Sequence, residues 1–291
     1  MDRIELLLIR SLFCSLLLLS LSYSLAAEAA TGDWANSEHV RMRLVAAHSM
    51  SGGSLEAAIE IKLDPGWKTY WRSPGDAGIP PRFDFSASRN AAGAAIGFPA
   101  PERDDDGFTV TNVYHGRVVL PVRFSAGDPN EPVQLVLAAD FGICKDICLP
   151  VSLVTTLDIS DGAADDGAAA AIAAARAALP GSGRPGLFEI RSLTRIGGAD
   201  TAPEFEVVVV TEAPEAGLVF VETPVDWYPA MPKRIGAGQG EATYRFSIDR
   251  KTAREPLAGA IVRLTLTSGD EAIERAFVLD AGAAAIPLAG R

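Results

Sequence analysis

Short runs in which apolar and polar residues alternate, separated by glycine and proline, make up most of this sequence. Val40, Met42 and Leu44 alternate with two arginines, and the run over residues 55–63 repeats the pattern before an Asp-Pro-Gly turn. A period of two residues is typical of a strand with one buried face, and closely spaced turns favour antiparallel sheets. The sequence therefore predicts an all-β fold, with an antiparallel β-sandwich over residues 34–160.

Composition changes after this first predicted domain. An alanine-rich run over residues 168–179 follows a pair of aspartates, one of which would cap a helix, and a Pro-Gly pair would end it. Residues 161–186 are therefore predicted to hold a short Ala-rich helix and a linker. Further strand-like runs over residues 187–282 predict a second, smaller β-sandwich, which contains no histidine, no cysteine and no cluster of catalytic carboxylates.

Residues 1–29 have the features of a secretory signal peptide. Arg3 and Arg10 provide a positive start, and the apolar run over residues 11–21 is followed by small residues suited to cleavage. The apolar run is shorter than the ~20 residues of a transmembrane helix, although a retained anchor is the alternative. We therefore expect export to an oxidising compartment, with no direct membrane insertion after signal cleavage.

Charge and motif content argue against several classes of function. The formal net charge of −11 argues against binding to nucleic acid or anionic lipid, since both require clustered Lys and Arg. The sequence has neither a Gly-x-Ser-x-Gly motif nor a glycine-rich phosphate loop, which argues against a hydrolase or a nucleotide enzyme. His39, Met42, His48 and Met50 are a conceivable copper-ligand set, but Met42 lies on the apolar face of a predicted strand, and we interpret it as a core residue.

Cys144 and Cys148 are the only cysteines outside the predicted signal peptide. In an extended strand they would lie about 13 Å apart, at ~3.3 Å per residue. A disulfide needs Cα atoms about 4.4–6.8 Å apart, so the pair can form one only if residues 145–147 make a turn.

Three kinds of chemistry suit a Cys-x3-Cys pair of this kind. They are thiol–disulfide exchange, a structural disulfide in an exported domain, and a soft-metal site for Cu(I) or zinc. A bridge over so short a loop stabilises a fold little, which favours exchange. No second pair of Cys or His accompanies the two cysteines, which disfavours zinc, and we assign neither a metal ion nor a cofactor.

Four motifs, in the same order, resemble the N-terminal periplasmic domain of the thiol:disulfide interchange protein DsbD, in the variant found in ScsB-like suppressor-of-copper-sensitivity proteins. They are Gly-Trp-Lys-Thr-Tyr-Trp-Arg at 66–72, the more specific Trp-Arg-Ser-Pro-Gly-Asp-Ala-Gly-Ile-Pro-Pro at 71–81, the Tyr…Leu-Pro-Val stretch at 114–122, and the cysteine loop closed by proline at 144–150. The resemblance covers residues 34–160 and extends more loosely to the second β-domain.

The resemblance implies an immunoglobulin-like fold and a periplasmic location. It also implies that reducing equivalents pass from a membrane-embedded thiol transporter to periplasmic thioredoxin-like oxidoreductases. Cys148 would form the mixed disulfide with a partner and Cys144 would resolve it, although the best-known relatives have a longer spacer than the three residues here. A copper-stress or metal-handling protein that uses the same thiols is the alternative, and an interaction module with a structural disulfide is the third reading.

The resemblance also implies a cover over the cysteine pair. In the family a short loop with acidic residues and a phenylalanine shields the pair, and Asp106 and Phe108 are the local match. Trp67 and Tyr70 match the aromatic residues that line the site. From the residues alone, the acidic run around Asp106 is equally well interpreted as a solvated loop tip, and that alternative stays open.

Overall fold

The computed structural model describes residues 29–47, 54–128, 131–159, 163–164, 166–280 and 285–288. Residues 1–28 of the predicted signal peptide 1–29, the candidate helix cap Asp165, and the candidate copper ligands His48 and Met50 lie outside the described residues, whereas Ala29 begins β1. Within the described residues, no helix is both long enough and apolar enough to cross a membrane.

Thirteen of the strands build the first sandwich. They are β1 (Ala29–Thr31), β2 (Ala35–Ser37), β3 (Val40–Ala47), β4 (Ser54–Leu63), β5 (Lys68–Gly75), β6 (Arg82–Asp84), β7 (Ala91–Ile96), β8 (Glu102–Asp105), β9 (Val110–His115), β10 (Arg117–Ala126), β11 (Gln134–Cys144), β12 (Cys148–Asp158) and β13 (Ala163–Ala164).

Two antiparallel sheets face each other in this sandwich. One has the strand order β13-β1-β3-β4-β10-β7 with β2 beside β3, and the other has the order β12-β11-β5-β9-β8 with β6 beside β11. Their inner faces share one core, in which Met42, Leu44, Ile59, Phe124 and Phe141 are all at most 2% exposed. The alternating residues of β3 and β4 fill this core as their period predicted, and the interpretation of Met42 as a core residue is confirmed.

A single described helix, α1 (Asp166–Ala177), follows the first sandwich. Its Ala168 and Ile172 pack against Val45 and Ala58, on the outer face of the first sheet. Small side chains allow the helix to approach the sheet closely, which explains the alanine-rich composition. The prediction of a short Ala-rich helix between two β-regions is confirmed.

The remaining strands build the second, smaller sandwich. They are β14 (Glu189–Gly197), β15 (Glu204–Val210), β16 (Leu218–Glu222), β17 (Tyr228–Pro229), β18 (Lys233–Gly238), β19 (Glu241–Asp249), β20 (Ile261–Ser268), β21 (Glu271–Leu279) and β22 (Ala285–Pro287). One sheet has the order β14-β15-β19-β17 with β18 beside β19, and the other has the order β16-β20-β21-β22. They enclose a second core that includes Phe205, Tyr244 and Leu264.

The predicted all-β architecture with an immunoglobulin-like sandwich is thus confirmed, whereas the exact domain boundaries remain a prediction. One strand end differs from expectation. Proline is normally excluded from a central strand, yet Ser73 and Pro74 of the Pro- and Gly-rich stretch 73–81 belong to β5, which lies between β11 and β9. The β5–β9 ladder shifts register between Tyr70 and Gly75, so a proline is tolerated there.

Candidate redox site

The two cysteines close a β-hairpin. The β11–β12 ladder runs from Gln134 opposite Asp158 to Cys144 opposite Cys148. Residues 145–147 form the connecting loop, in which the Lys145 N–H donates to the Ile147 carbonyl oxygen at 3.1 Å. The cysteines are joined by a disulfide, and their Cα atoms are 4.1 Å apart. The turn that a disulfide requires is therefore present.

Both strands continue up to the cysteines, although glycine and proline, here Gly142 and Pro150, often interrupt a strand. These two residues instead pair with each other inside the ladder. Pro150 lies on β12, which is the edge strand of its sheet. Proline is tolerated on an edge strand because no neighbouring strand on the open side needs its N–H group. Gly142 is required by close packing, because a Cβ atom there would lie 2.9 Å from the Cβ atom of Ile79.

The two cysteines differ in their exposure to solvent. Cys144 is 7% exposed and belongs to a small buried cluster with Tyr70 and Val113. Cys148 is exposed, at the open end of the hairpin. An incoming thiol or disulfide therefore reaches Cys148 before Cys144.

A tyrosine hydroxyl lies beside the exposed sulfur. The Tyr70 Oη atom is 3.4 Å from Cys148 Sγ, and the tyrosine is 4% exposed. Burial raises the pKa of Tyr70; the Lys68 ammonium opposes this rise, and the Asp104 and Asp106 carboxylates add to it. The phenol thus stays protonated at neutral pH and can donate a hydrogen bond to a Cys148 thiolate.

A loop over residues 76–81 packs against Tyr70. The backbone of Gly78 touches one edge of the ring, since a Cβ atom there would lie 2.5 Å from Tyr70 Cε1, and Gly142 touches the opposite edge at Cε2. Gly78 has φ of +124°, which disfavours any other residue. Sequence reasoning did not assign Gly78, Ile79 or Gly142 to the site, and the Gly/Pro content of this stretch is the signal that could have pointed to the loop.

Trp67 supports the neighbouring turn. Its ring stacks on His39 with centroids 4.3 Å apart, and it packs into the main core. The next residue, Lys68, lies opposite Cys144 across the ladder. The Lys145 side chain lies over Gly66, where a Cβ atom would be 3.1 Å from Lys145 Cε. Trp67 therefore lies beneath the turn on which the cysteine loop rests.

The acidic loop between β8 and β9 is folded by its own aspartates. Asp106 accepts hydrogen bonds from the Thr109 and Phe108 N–H groups at 2.8 and 2.9 Å, and these bonds lower its pKa. The Phe108 side chain is 97% exposed. Phe108 therefore covers nothing in this structure, and the shielding role of Asp106 and Phe108 stays a prediction.

Metal binding has no further support in this part of the molecule. Among the described residues, no group of three or more His, Cys, Asp or Glu side chains is arranged to hold a metal ion. His39 lies 3.1 Å from Asp64, and His115 lies 3.2 Å from Glu102, both through Nδ1. The two cysteines of the described residues are both used in the disulfide.

Comparison with known proteins gives a family match and a similar structure. Residues 40–158 match the family described as "Thiol:disulfide interchange protein DsbD, N-terminal". No curated protein gives a significant sequence match. The crystal structure of the N-terminal periplasmic domain of ScsB from Proteus mirabilis aligns with a TM-score of 0.67 at 19% sequence identity, covering 84% of this chain and 96% of that chain.

The family match lies within the first sandwich and includes both cysteines. The structural match covers too much of the chain to be confined to that sandwich. The resemblance that the sequence motifs indicated is therefore confirmed: the first sandwich of this protein is similar to the N-terminal domain of DsbD, and its fold is similar to that of the periplasmic domain of ScsB.

Proposed function

We propose that this protein is a periplasmic thiol–disulfide interchange protein that acts through Cys144 and Cys148. In this proposal it receives reducing equivalents from a membrane-embedded thiol transporter and passes them to periplasmic thioredoxin-like proteins. The observation that carries the proposal is a disulfide at a hairpin tip, with one cysteine exposed and the other buried. The family match over residues 40–158 supports it.

The exposed and buried sulfurs take different roles in the exchange. In the reduced protein, the Cys148 thiolate attacks a sulfur of the partner disulfide, forms a mixed disulfide and releases one partner thiolate, which takes up a proton. Cys144 then loses its proton and attacks Cys148 Sγ, which releases the second partner thiol. The partner gains two electrons and two protons, and the Cys144–Cys148 pair becomes a disulfide.

Neighbouring side chains fit this sequence of steps. The Tyr70 hydroxyl stabilises Cys148 as a thiolate, both when it attacks and when it leaves. Ile147, next to Cys148 in the chain, is 62% exposed, and Ile79, which packs against Gly142, is 40% exposed, so apolar surface lies near the hairpin tip. A partner that docks its own disulfide over Cys148 would bury this surface. Trp67 supports the turn beneath the loop.

Single cysteine variants test the proposal. Cys144→Ser should leave Cys148 able to hold a stable mixed disulfide with a periplasmic thioredoxin-like protein, because no thiol remains to resolve it. Cys148→Ser should trap far less, because Cys144 is buried. The measurement is the amount of covalent complex on a non-reducing gel, with the double Ser variant as the control. The proposal is wrong if neither single variant traps a partner.

A further inference from the structure

An ion-pair network joins the second sandwich to the strand that carries Tyr70. Arg72 on β5 donates to Glu222 on β16 and to Glu274 on β21. Arg263 on β20 pairs with the same two carboxylates, at 2.7 and 3.1 Å. Burial lowers the pKa of Arg72, but the two carboxylates outweigh burial and raise it, so the guanidinium remains charged. Two arginines and two glutamates thus form a closed ring across the interface.

Strand β16 also packs directly on this segment of β5. Phe220 is fully buried and is part of the core of the first sandwich, with its ring centroid 5.9 Å from that of Trp71. The Ser73 hydroxyl donates to the Val221 carbonyl oxygen at 3.0 Å. Met231 Cε packs so closely against Gly75 that no room is left for a Cβ atom there. The second sandwich therefore holds residues 71–75 through charge, apolar packing and a hydrogen bond.

The segment held in this way continues directly into the redox site. Only Asp76 and Ala77 separate Gly75 from Gly78, whose backbone touches the Tyr70 ring. The Asp76 N–H donates to the Val110 carbonyl oxygen at 3.1 Å, so this short connection is itself fixed. A movement of residues 71–75 would therefore be transmitted to the packing of Tyr70 beside Cys148.

We infer that the second sandwich positions the redox site. Phe220 and Arg72 hold residues 71–75, and these residues keep the loop over 76–81 against Tyr70, so that the tyrosine hydroxyl stays beside Cys148 Sγ. Arg72 and Phe220 are positioning residues, since neither touches a cysteine. The inference rests on the proposed exchange function for its purpose, but its geometry can be tested without a partner.

The test compares two buried phenylalanines in the Cys144→Ser background, where Cys148 is the single thiol of the mature chain. Phe220→Ala removes the contact with the first core, whereas Phe205→Ala empties an equally buried site inside the second core. The rate of alkylation by iodoacetamide, measured against pH, gives the pKa of the Cys148 thiol. We expect Phe220→Ala to raise that pKa by half a unit or more, which lowers the alkylation rate at neutral pH about threefold. Phe205→Ala should leave it unchanged.

A second set of variants tests the ion pairs and does not depend on whether the Phe220→Ala protein folds. Arg72→Glu should raise the thiol pKa, both by opening the interface and by adding negative charge. Arg72→Lys, which keeps a positive charge between Glu222 and Glu274, should leave the pKa close to the parent value. Arg245→Glu, which breaks an exposed pair with Glu206 inside the second sandwich, controls for net charge.

An unchanged thiol pKa in folded Phe220→Ala protein would overturn the inference, because the interface would then serve stability alone. Equal shifts in Phe220→Ala and Phe205→Ala would also overturn it, since general loosening would explain both. These outcomes are independent of partner trapping. If the single cysteine variants trap no partner but Phe220→Ala shifts the Cys148 pKa, the proposed function is wrong and the positioning role remains. If Cys144→Ser traps a partner but Phe220→Ala leaves the pKa unchanged, only the positioning role is wrong.

Discussion

Burial separates the two thiols at the residue scale. The sequence predicted the pair and, by resemblance, proposed roles for Cys144 and Cys148, but the difference in burial that supports these proposed roles is visible only in the fold. Cys144 lies under Tyr70 and Val113, which are distant from it in sequence and come together through strand pairing. The tight contacts of Gly78 and Gly142 with the tyrosine ring also depend on cross-strand neighbours, so no local pattern could predict them.

The Tyr70 hydroxyl should control the acidity of Cys148. Tyr70→Phe removes a donor to the thiolate, which disfavours the charged form and raises the pKa of the thiol. A hydrogen bond to a charged group is worth about 1.5–3 kcal/mol, so we expect a rise of about one pKa unit for this long contact to sulfur. The measurement is the ultraviolet absorbance of the thiolate against pH, in the Cys144→Ser background.

Tyr114→Phe is the matched control for this prediction. Tyr114 is also buried and lies opposite Thr69 on the neighbouring strand, but its hydroxyl donates to the Pro99 carbonyl oxygen at 2.6 Å. Its loss should destabilise the fold by about 1 kcal/mol without changing the thiol pKa. An equal pKa shift in both variants would mean that Tyr70 has no specific role at Cys148.

At the scale of elements, alternation predicted the long strands well and the short ones poorly. Strand β3 begins at Val40, where the alternation begins, and β4 differs from the alternating run over residues 55–63 by one residue at its start. Strand β7 was missed because Ala-Ala-Gly-Ala-Ala-Ile carries no alternation, and it forms by pairing at the sheet edge with β10. Gly142 and Pro150 are residue types that usually interrupt strands, and the sequence does not show that β12 lies at a sheet edge, where a proline is tolerated.

The β8–β9 loop is the element whose role stays a prediction. If Asp106 and Phe108 cover the reduced pair in solution, Phe108→Ala should increase the rate at which the reduced protein reacts with a thiol reagent. We expect an increase of several-fold, because the cover would lose its apolar side chain. Thr109→Val is the control, because it keeps the backbone and replaces only a hydroxyl with a methyl group. Gly107→Ala would instead strain the backbone, since Gly107 has φ of +81°. An unchanged rate in Phe108→Ala would favour the alternative interpretation, in which the loop is a solvated tip.

At the scale of the whole molecule, the sequence indicated two β-domains joined by a helix and linker. It did not indicate that a phenylalanine of the second sandwich completes the core of the first. Leu218–Glu222 has the pattern of an ordinary strand, and its sequence does not show which of the two cores its apolar side chains enter. The ion-pair network around Arg72 could not be predicted for the same reason, since its members come from β5, β16, β20 and β21.

The two cores should hold the molecule together without the disulfide. The bridge closes a loop so short that the chain-entropy model gives it about 2 kcal/mol, and the long β11–β12 ladder already brings the cysteines together. We therefore expect Cys144→Ala combined with Cys148→Ala to lower the free energy of unfolding by no more than about 2 kcal/mol. Urea unfolding of the oxidised parent and the double variant measures this, with an unchanged m-value. Phe124→Ala, which empties a site in the first core, provides the scale, since such a change costs about 3–5 kcal/mol. A double cysteine variant as destabilised as Phe124→Ala would favour a structural disulfide over a redox pair.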